Sequence, residues 1–167
     1  SYLNLAVTLK TDAVLSLLGE RTVLTRRNDA DLSGPEDTTI SQKKVSDIRA
    51  RTALVNDQPD ALLVSIHQNT FPGDASVHGA QVFYNGKESS QALAEKLQQS
   101  LVESLDRSNT KSAKPIDPGI YLMNHIEAPG VLVECGFLTN STEAERLKSA
   151  DYQKRLALAI AAAVSNH

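Results

Sequence analysis

A single cysteine, Cys135, is all the thiol this sequence has, so no internal disulfide can staple it. Cysteine usage is therefore silent on its compartment. No apolar run reaches the roughly 18 residues of a membrane-crossing helix, and no signal-peptide pattern opens the chain. Positive charge is not in excess: the net charge is −3 and the pI about 5.8. A phosphate backbone wants a clustered basic surface, so nucleic acid is not an expected partner. The sequence has no G-x-S-x-G elbow, no glycine-rich phosphate loop and no H-E-x-x-H pair. A repeat, a low-complexity tract and an interdomain linker are also missing. What remains is 167 residues, 41% of them hydrophobic, which suits one domain (1–167) with a sizeable core.

Helical and strand-like stretches alternate. Residues 2–18 put Leu3, Ala6, Val7, Val14, Leu15 and Leu18 at helical spacings, with Gly19 as a C-terminal cap. RTVLTR (21–26) reads as a short strand, and 27–40 as a loop rich in Asp, Gly, Pro and Thr. A helix follows over 41–56, with Ser41 as a plausible N-cap and Val45, Ile48, Thr52 and Val55 along one face. ALLVSIH (61–67) is a nearly continuous apolar run, as in a strand buried on both faces. Strands are also expected at 80–85, 119–124 and 129–137, and helices at 89–105 and about 151–164. Asn140 and Glu143 read as a capping box. This order predicts an α/β fold with a mostly parallel twisted sheet and helices on both faces. The first element is a helix where such a sheet usually opens with a strand. The chain thus reads as starting inside a helix, with an opening strand missing.

Ligands of open α/β sheets gather beyond the carboxyl ends of the strands. His67 closes the 61–67 run there, where a neutral imidazole could bind a metal or act as a base. The alternative is a strand-end histidine held by a backbone hydrogen bond. Glu134 sits inside VLVECGF, where a carboxylate is costly unless paired or functional. Desolvation there would raise its pKa, as a general base needs. An edge-strand glutamate facing solvent is the alternative. Cys135 points to the opposite face of the same strand and reads as core. His78, His125 and the terminal His167 are weaker candidates. Lys111 and Lys114 make a small basic cluster, read as a solvated loop or a contact for an anionic polymer.

Four short motifs then carry a resemblance. Leu24-Thr25-Arg26 with Asp29 resembles an L-T-R-x-x-D strand end, and Arg51 with Asn56 an R-x-x-x-x-N helix. Ser65-Ile66-His67-Gln68-Asn69 resembles S-I-H-x-N, and Glu134-Cys135-Gly136-Phe137-Leu138 with Asn140 resembles E-x-G-F-L-x-N. In this order they are similar to the zinc-dependent N-acetylmuramoyl-L-alanine amidases of amidase family 3. HGAQVFYNG and AKPIDPGIYLMNH look nearest to the spore-cortex amidases of endospore formers. The resemblance implies hydrolysis of the bond between N-acetylmuramic acid and L-alanine in peptidoglycan. It implies Zn2+ as cofactor, His67 as a metal ligand, Glu134 as the catalytic carboxylate, and Asn69 and Arg51 as substrate contacts. A possible activator protein and an extracytoplasmic setting, the cell envelope or the space around a forespore, come with it.

The family's D-P-G-H-G-G segment does not occur in this sequence. One strand and two zinc ligands are accordingly expected to be missing. A catalytic zinc wants three protein ligands plus water, so the 167 residues alone are expected to bind zinc weakly and be nearly inactive. A non-catalytic wall-binding or partner-binding module is the rival reading. A generic α/β hydrolase lacks a nucleophile.

Overall fold

The computed structural model describes residues 2–165. Its first helix, α1 (Tyr2–Leu17), buries Val7, Thr11 and Leu15, spaced by four so that they share a face. Gly19, at φ +86°, ends the helix, with Glu20 N donating to Leu15 O at 3.0 Å and Gly19 N to Ser16 O at 3.1 Å.

Residues 21–26 are not a strand. Val23 is exposed, and no strand among the described residues offers the segment a ladder. Side chains tether it instead: Thr22 donates to Asp12, and Arg51 donates to Thr25 Oγ1 at 2.7 Å.

The second helix, α2 (Ile40–Asn56), starts from Thr39 rather than Ser41. Thr39 and Gln42 form a reciprocal capping box, and Thr52 and Val55 face inward while Val45 stays exposed. Asn56 fastens the far end of α2: its Nδ2 donates to His125 O at 3.3 Å, and its Oδ1 accepts from Glu127 N at 2.9 Å.

The remaining elements are β1 (Leu63–Asn69), β2 (Gln81–Tyr84), α3 (Ser90–Leu105), β3 (Lys114–Pro115), α4 (Tyr121–His125), β4 (Gly130–Phe137), α5 (Ser141–Lys148) and α6 (Ala150–Val164). The stretch expected as a strand over 119–124 is largely α4. Leu122 and Ile126 stand four apart and pack against Val55, a helical rather than a strand pattern. Asn124 Nδ2 donates to the carbonyls of Asp117, Pro118 and Ile120, closing the turn that leads in.

The sheet order is β1-β4-β2-β3. β1/β4 and β2/β3 pair parallel, while β2/β4 pair antiparallel, so the sheet is mixed. Loop 70–80 has no crossover helix, and a parallel return of β2 would need one. α3 supplies such a crossover between β2 and β3. Helices cover both faces as expected. α1, α3 and α6 close over Ile66, Val82, Val131, Val133 and Cys135. α2 and α4 close over Leu63 on the other side.

Loop 70–80 ends at Gly79, with φ +94°. A Cβ there would stand 2.6 Å from Oδ1 of Asn109, whose Nδ2 holds Ala80 O at 2.8 Å. Gly79→Ala is therefore expected to cost about 1–3 kcal/mol, from backbone strain and a displaced buried amide. Chemical unfolding of the two proteins side by side measures it, and a change within about 0.5 kcal/mol, as for a neutral surface site, would refute it.

Candidate active site

β1 and β4 carry His67 directly opposite Glu134. Opposed residues of neighbouring strands project to the same face, so imidazole and carboxylate stand together near the carboxyl end of β1. Leu63 is a face-mate further down β1, which puts the pair on the side that α2 and α4 cover.

Glu134 is half-buried, and its Oε2 is enclosed without a hydrogen-bond partner among the described residues. Desolvation pushes its carboxyl up from 4.5 to about 7. His67 keeps access to solvent, yet the protein packed round it disfavours the imidazolium. The nearby cations of Arg51 and Arg26 act in the same direction, and the pKa is lowered from 6.5. At neutral pH the site thus holds an imidazole with a free lone pair and a carboxyl poised to give or take a proton.

Glu134 also makes folding depend on pH. The folded carboxyl keeps its proton up to about 7, whereas an ordinary glutamate loses it near 4.5. Between those values the folded state binds more protons than the unfolded one, so stability falls as pH rises. Thermal melts are expected to show this decline, on the order of 1 kcal/mol once solvent screening is counted, levelling off above the folded pKa. Glu134→Gln should flatten it, and identical pH profiles for the two proteins would exclude the burial described.

The register changes just past the pair. Asn69 opposes Phe137, so β4 carries one more residue than β1 over this interval, a β-bulge. Asn69 Oδ1 accepts from Thr70 N at 2.8 Å, and its main-chain oxygen accepts from Leu138 N at 2.8 Å. Its Nδ2 is left as a donor with no hydrogen bond among the described residues. Phe71 N donates to Thr139 Oγ1 at 3.0 Å, and Asn140 Nδ2 to Ala75 O at 3.0 Å. The loops after β1 and β4 are thus laced together at this edge.

Most other sequence candidates are tied to partners of their own. Arg51 spends its guanidinium within the protein: Nε and Nη2 meet the Asp47 carboxylate at 2.7 and 2.8 Å, and Nη1 meets Thr25. Asp47 Oδ1 also accepts from Leu32 N at 2.8 Å, so this ion pair clamps segment 25–32 onto α2. His78 lies 3.7 Å from Asp106. His125 stacks on Tyr121 at 3.8 Å. His167 is outside the described residues. Lys111 donates to His78 O and sits 5.3 Å from the Phe137 ring. Cys135 is fully buried on the core face, its thiol pushed up to about 12 by burial.

In the sequence Glu143 is legible only as half of a capping box. Asn140 does cap α5, accepting from Glu143 N at 3.1 Å. The Glu143 side chain does not return the bond. It is buried, and accepts from Gly79 N at 3.0 Å and Phe137 N at 2.8 Å. The sequence carries no separate signal for this second role, because the same spacing suits both.

Among the described residues no three His, Cys, Asp or Glu side chains converge as a metal site. His67 offers one imidazole to a zinc ion, and a catalytic zinc takes three protein ligands. The described residues alone therefore do not fit a complete zinc centre.

Comparison with known proteins agrees with the motifs and the fold. The family model described as N-acetylmuramoyl-L-alanine amidase matches residues 1–166. The chain is 38% identical over 159 residues to a germination-specific N-acetylmuramoyl-L-alanine amidase of Bacillus subtilis (strain 168), covering 94% of this chain and 65% of that relative. The amidase LytC of the same organism is 29% identical over 160 residues, which are 94% of this chain and 29% of LytC. This chain thus spans less than two thirds of the length of either relative. Among solved structures it resembles the CwlD amidase of Clostridioides difficile, determined in complex with the GerS lipoprotein. The TM-score is 0.93 at 34% identity, covering 98% of this chain and 83% of that one. An N-acetylmuramoyl-L-alanine amidase from Clostridium difficile 630 superposes with a TM-score of 0.81 at 25% identity, covering 97% and 80%.

Proposed function

The chain belongs to the N-acetylmuramoyl-L-alanine amidase family, amidase family 3, and we propose that it hydrolyses the amide joining N-acetylmuramic acid to L-alanine in peptidoglycan, with Glu134 as general base. The observation that carries this is the register of His67 against Glu134 with a buried, unpartnered Oε2. Ionised Glu134 takes a proton from water as the oxygen attacks the lactyl carbonyl. The C–N bond then breaks, and Glu134 returns the proton to the departing L-alanine amine. Asn69 Nδ2 stands two residues beyond His67 as a donor for substrate. Three of the five guanidinium N–H groups of Arg51 meet Asp47 and Thr25, which leaves two to meet substrate.

Zinc is the proposed cofactor of the full-length gene product, with His67 one of its ligands. Because the described residues supply no three-ligand set, the 167-residue stretch by itself is expected to hold zinc weakly and turn over slowly. The proposed setting is outside the cytoplasm, in the envelope or around a forespore, with a partner protein as activator. No helix among the described residues is long and apolar enough to cross a membrane.

The lack of a three-ligand set among the described residues favours one rival, a non-catalytic wall-binding or partner-binding module. The test is incubation of the full-length gene product with peptidoglycan sacculi, followed by end-group analysis. New L-alanine amino termini support the amidase, while sedimentation with sacculi and no new amines supports the module.

A further inference from the structure

We infer that Glu143 is a positioning residue for Glu134, acting through the β-bulge that ends β4; this rests on the amidase reading above. Glu143 is 6% exposed, and each carboxylate oxygen takes one main-chain N–H. One donor is Phe137, the residue at which β4 regains register with β1 after the bulge. The other is Gly79, at the end of the loop that leads into β2. β2 then places Gln81 directly opposite Glu134. One buried carboxylate therefore joins the two backbone segments that flank Glu134 along its own strand and across to its neighbour.

The bulge depends on this group sterically as well. A Cβ on Gly136 would stand 3.1 Å from Glu143 Oε1, so the carboxylate fills the space beside the bulged residue. Bulges re-aim side chains next to active sites. Glu134 lies two residues from Gly136, and its carboxyl has no hydrogen bond of its own at Oε2 to fix it. Its direction is left to the backbone, and the backbone there is held by Glu143. A charged acceptor of two N–H bonds is hard to replace. After Glu143→Gln the side-chain amide would offer one acceptor oxygen and turn its NH2 group toward the second N–H.

The test compares wild-type full-length gene product with Glu143→Gln, assayed on peptidoglycan below the melting temperature of both. A displaced catalytic group lowers turnover without weakening ground-state binding, so kcat should fall roughly 10- to 100-fold with KM within about twofold. Amide hydrogen exchange at Phe137 and Gly79 should quicken in the same sample. Ser100→Ala, which removes the bond from α3 to Ala159 O on α6 and leaves the carboxylate clamp, should lower the melting temperature and spare kcat. If Glu143→Gln does not fold, Glu143→Asp serves instead: it keeps the charge, but one methylene less cannot reach both N–H groups, and the same fall in kcat is expected. An unchanged kcat, unchanged exchange at both amides, or an equal loss in Ser100→Ala overturns the inference. A wild type that releases no L-alanine amines defeats the amidase reading itself, and with it the role given to Glu143.

Discussion

Glu134→Gln in the full-length gene product is expected to lower release of L-alanine amines by roughly 10²- to 10⁴-fold, the usual range for loss of a general acid–base group. The substitution keeps size and shape and removes only the titrating function. Burial encloses one oxygen of Glu134 and desolvates the group, so its carboxyl titrates at about 7 instead of near 4.5. An amide can neither accept nor return the proton. The loss should appear in kcat, because the group is needed for bond cleavage rather than for holding the glycan. Folding should not suffer above neutral pH, where the variant is relieved of a partly buried charge. Loss of activity together with equal or greater stability at high pH is a signature that a merely structural glutamate would not give. Full activity in the variant would remove Glu134 from the chemistry.

Leu97→Ala carries the largest expected change in stability. Leu97 is fully buried on α3, within the cluster that joins α3 and α6 to Val82 and Val133. Truncation removes the transfer free energy of its side chain and leaves a cavity that close-packed neighbours fill only in part. The cost should be about 2–5 kcal/mol, a large fraction of the roughly 5–15 kcal/mol typical of a whole domain. Leu158→Ala is the control: that side chain on α6 is 55% exposed, and its loss should stay within about 0.5 kcal/mol. Urea unfolding of the three proteins separates the cases, and equal midpoints would contradict the packing described.

Most of the layer arrangement is legible in the sequence because long periodic stretches declare themselves. The four longest helices fall within two residues of where their spacing puts them. GIYLMN reads as a strand because six residues are too few to fix a period. The decisive partner, Ile126, lies beyond the run, four residues after Leu122. RTVLTR has β-branched residues, but strand structure needs a neighbour to supply the ladder, and propensity cannot. The direction of β2 depends on what connects it to β1, which its own composition does not encode. At the site, His67 and Glu134 stand out because polar groups in apolar runs are costly. Their face-to-face register does not, since it follows from β1 and β4 being neighbours in the sheet. Glu143 stays hidden because its capping position masks its contacts with Gly79 and Phe137. Arg51 is marked as a substrate contact by the family resemblance, and its bonds to Asp47 and Thr25 become visible only in the fold.

The most direct test of the account is end-group analysis of sacculi treated with the zinc-loaded full-length gene product and with its Glu134→Gln variant. The proposed site predicts new amino-terminal L-alanine from the first and almost none from the second, with zinc content equal in both. New L-alanine amines in equal yield from both proteins, or from neither, would contradict it.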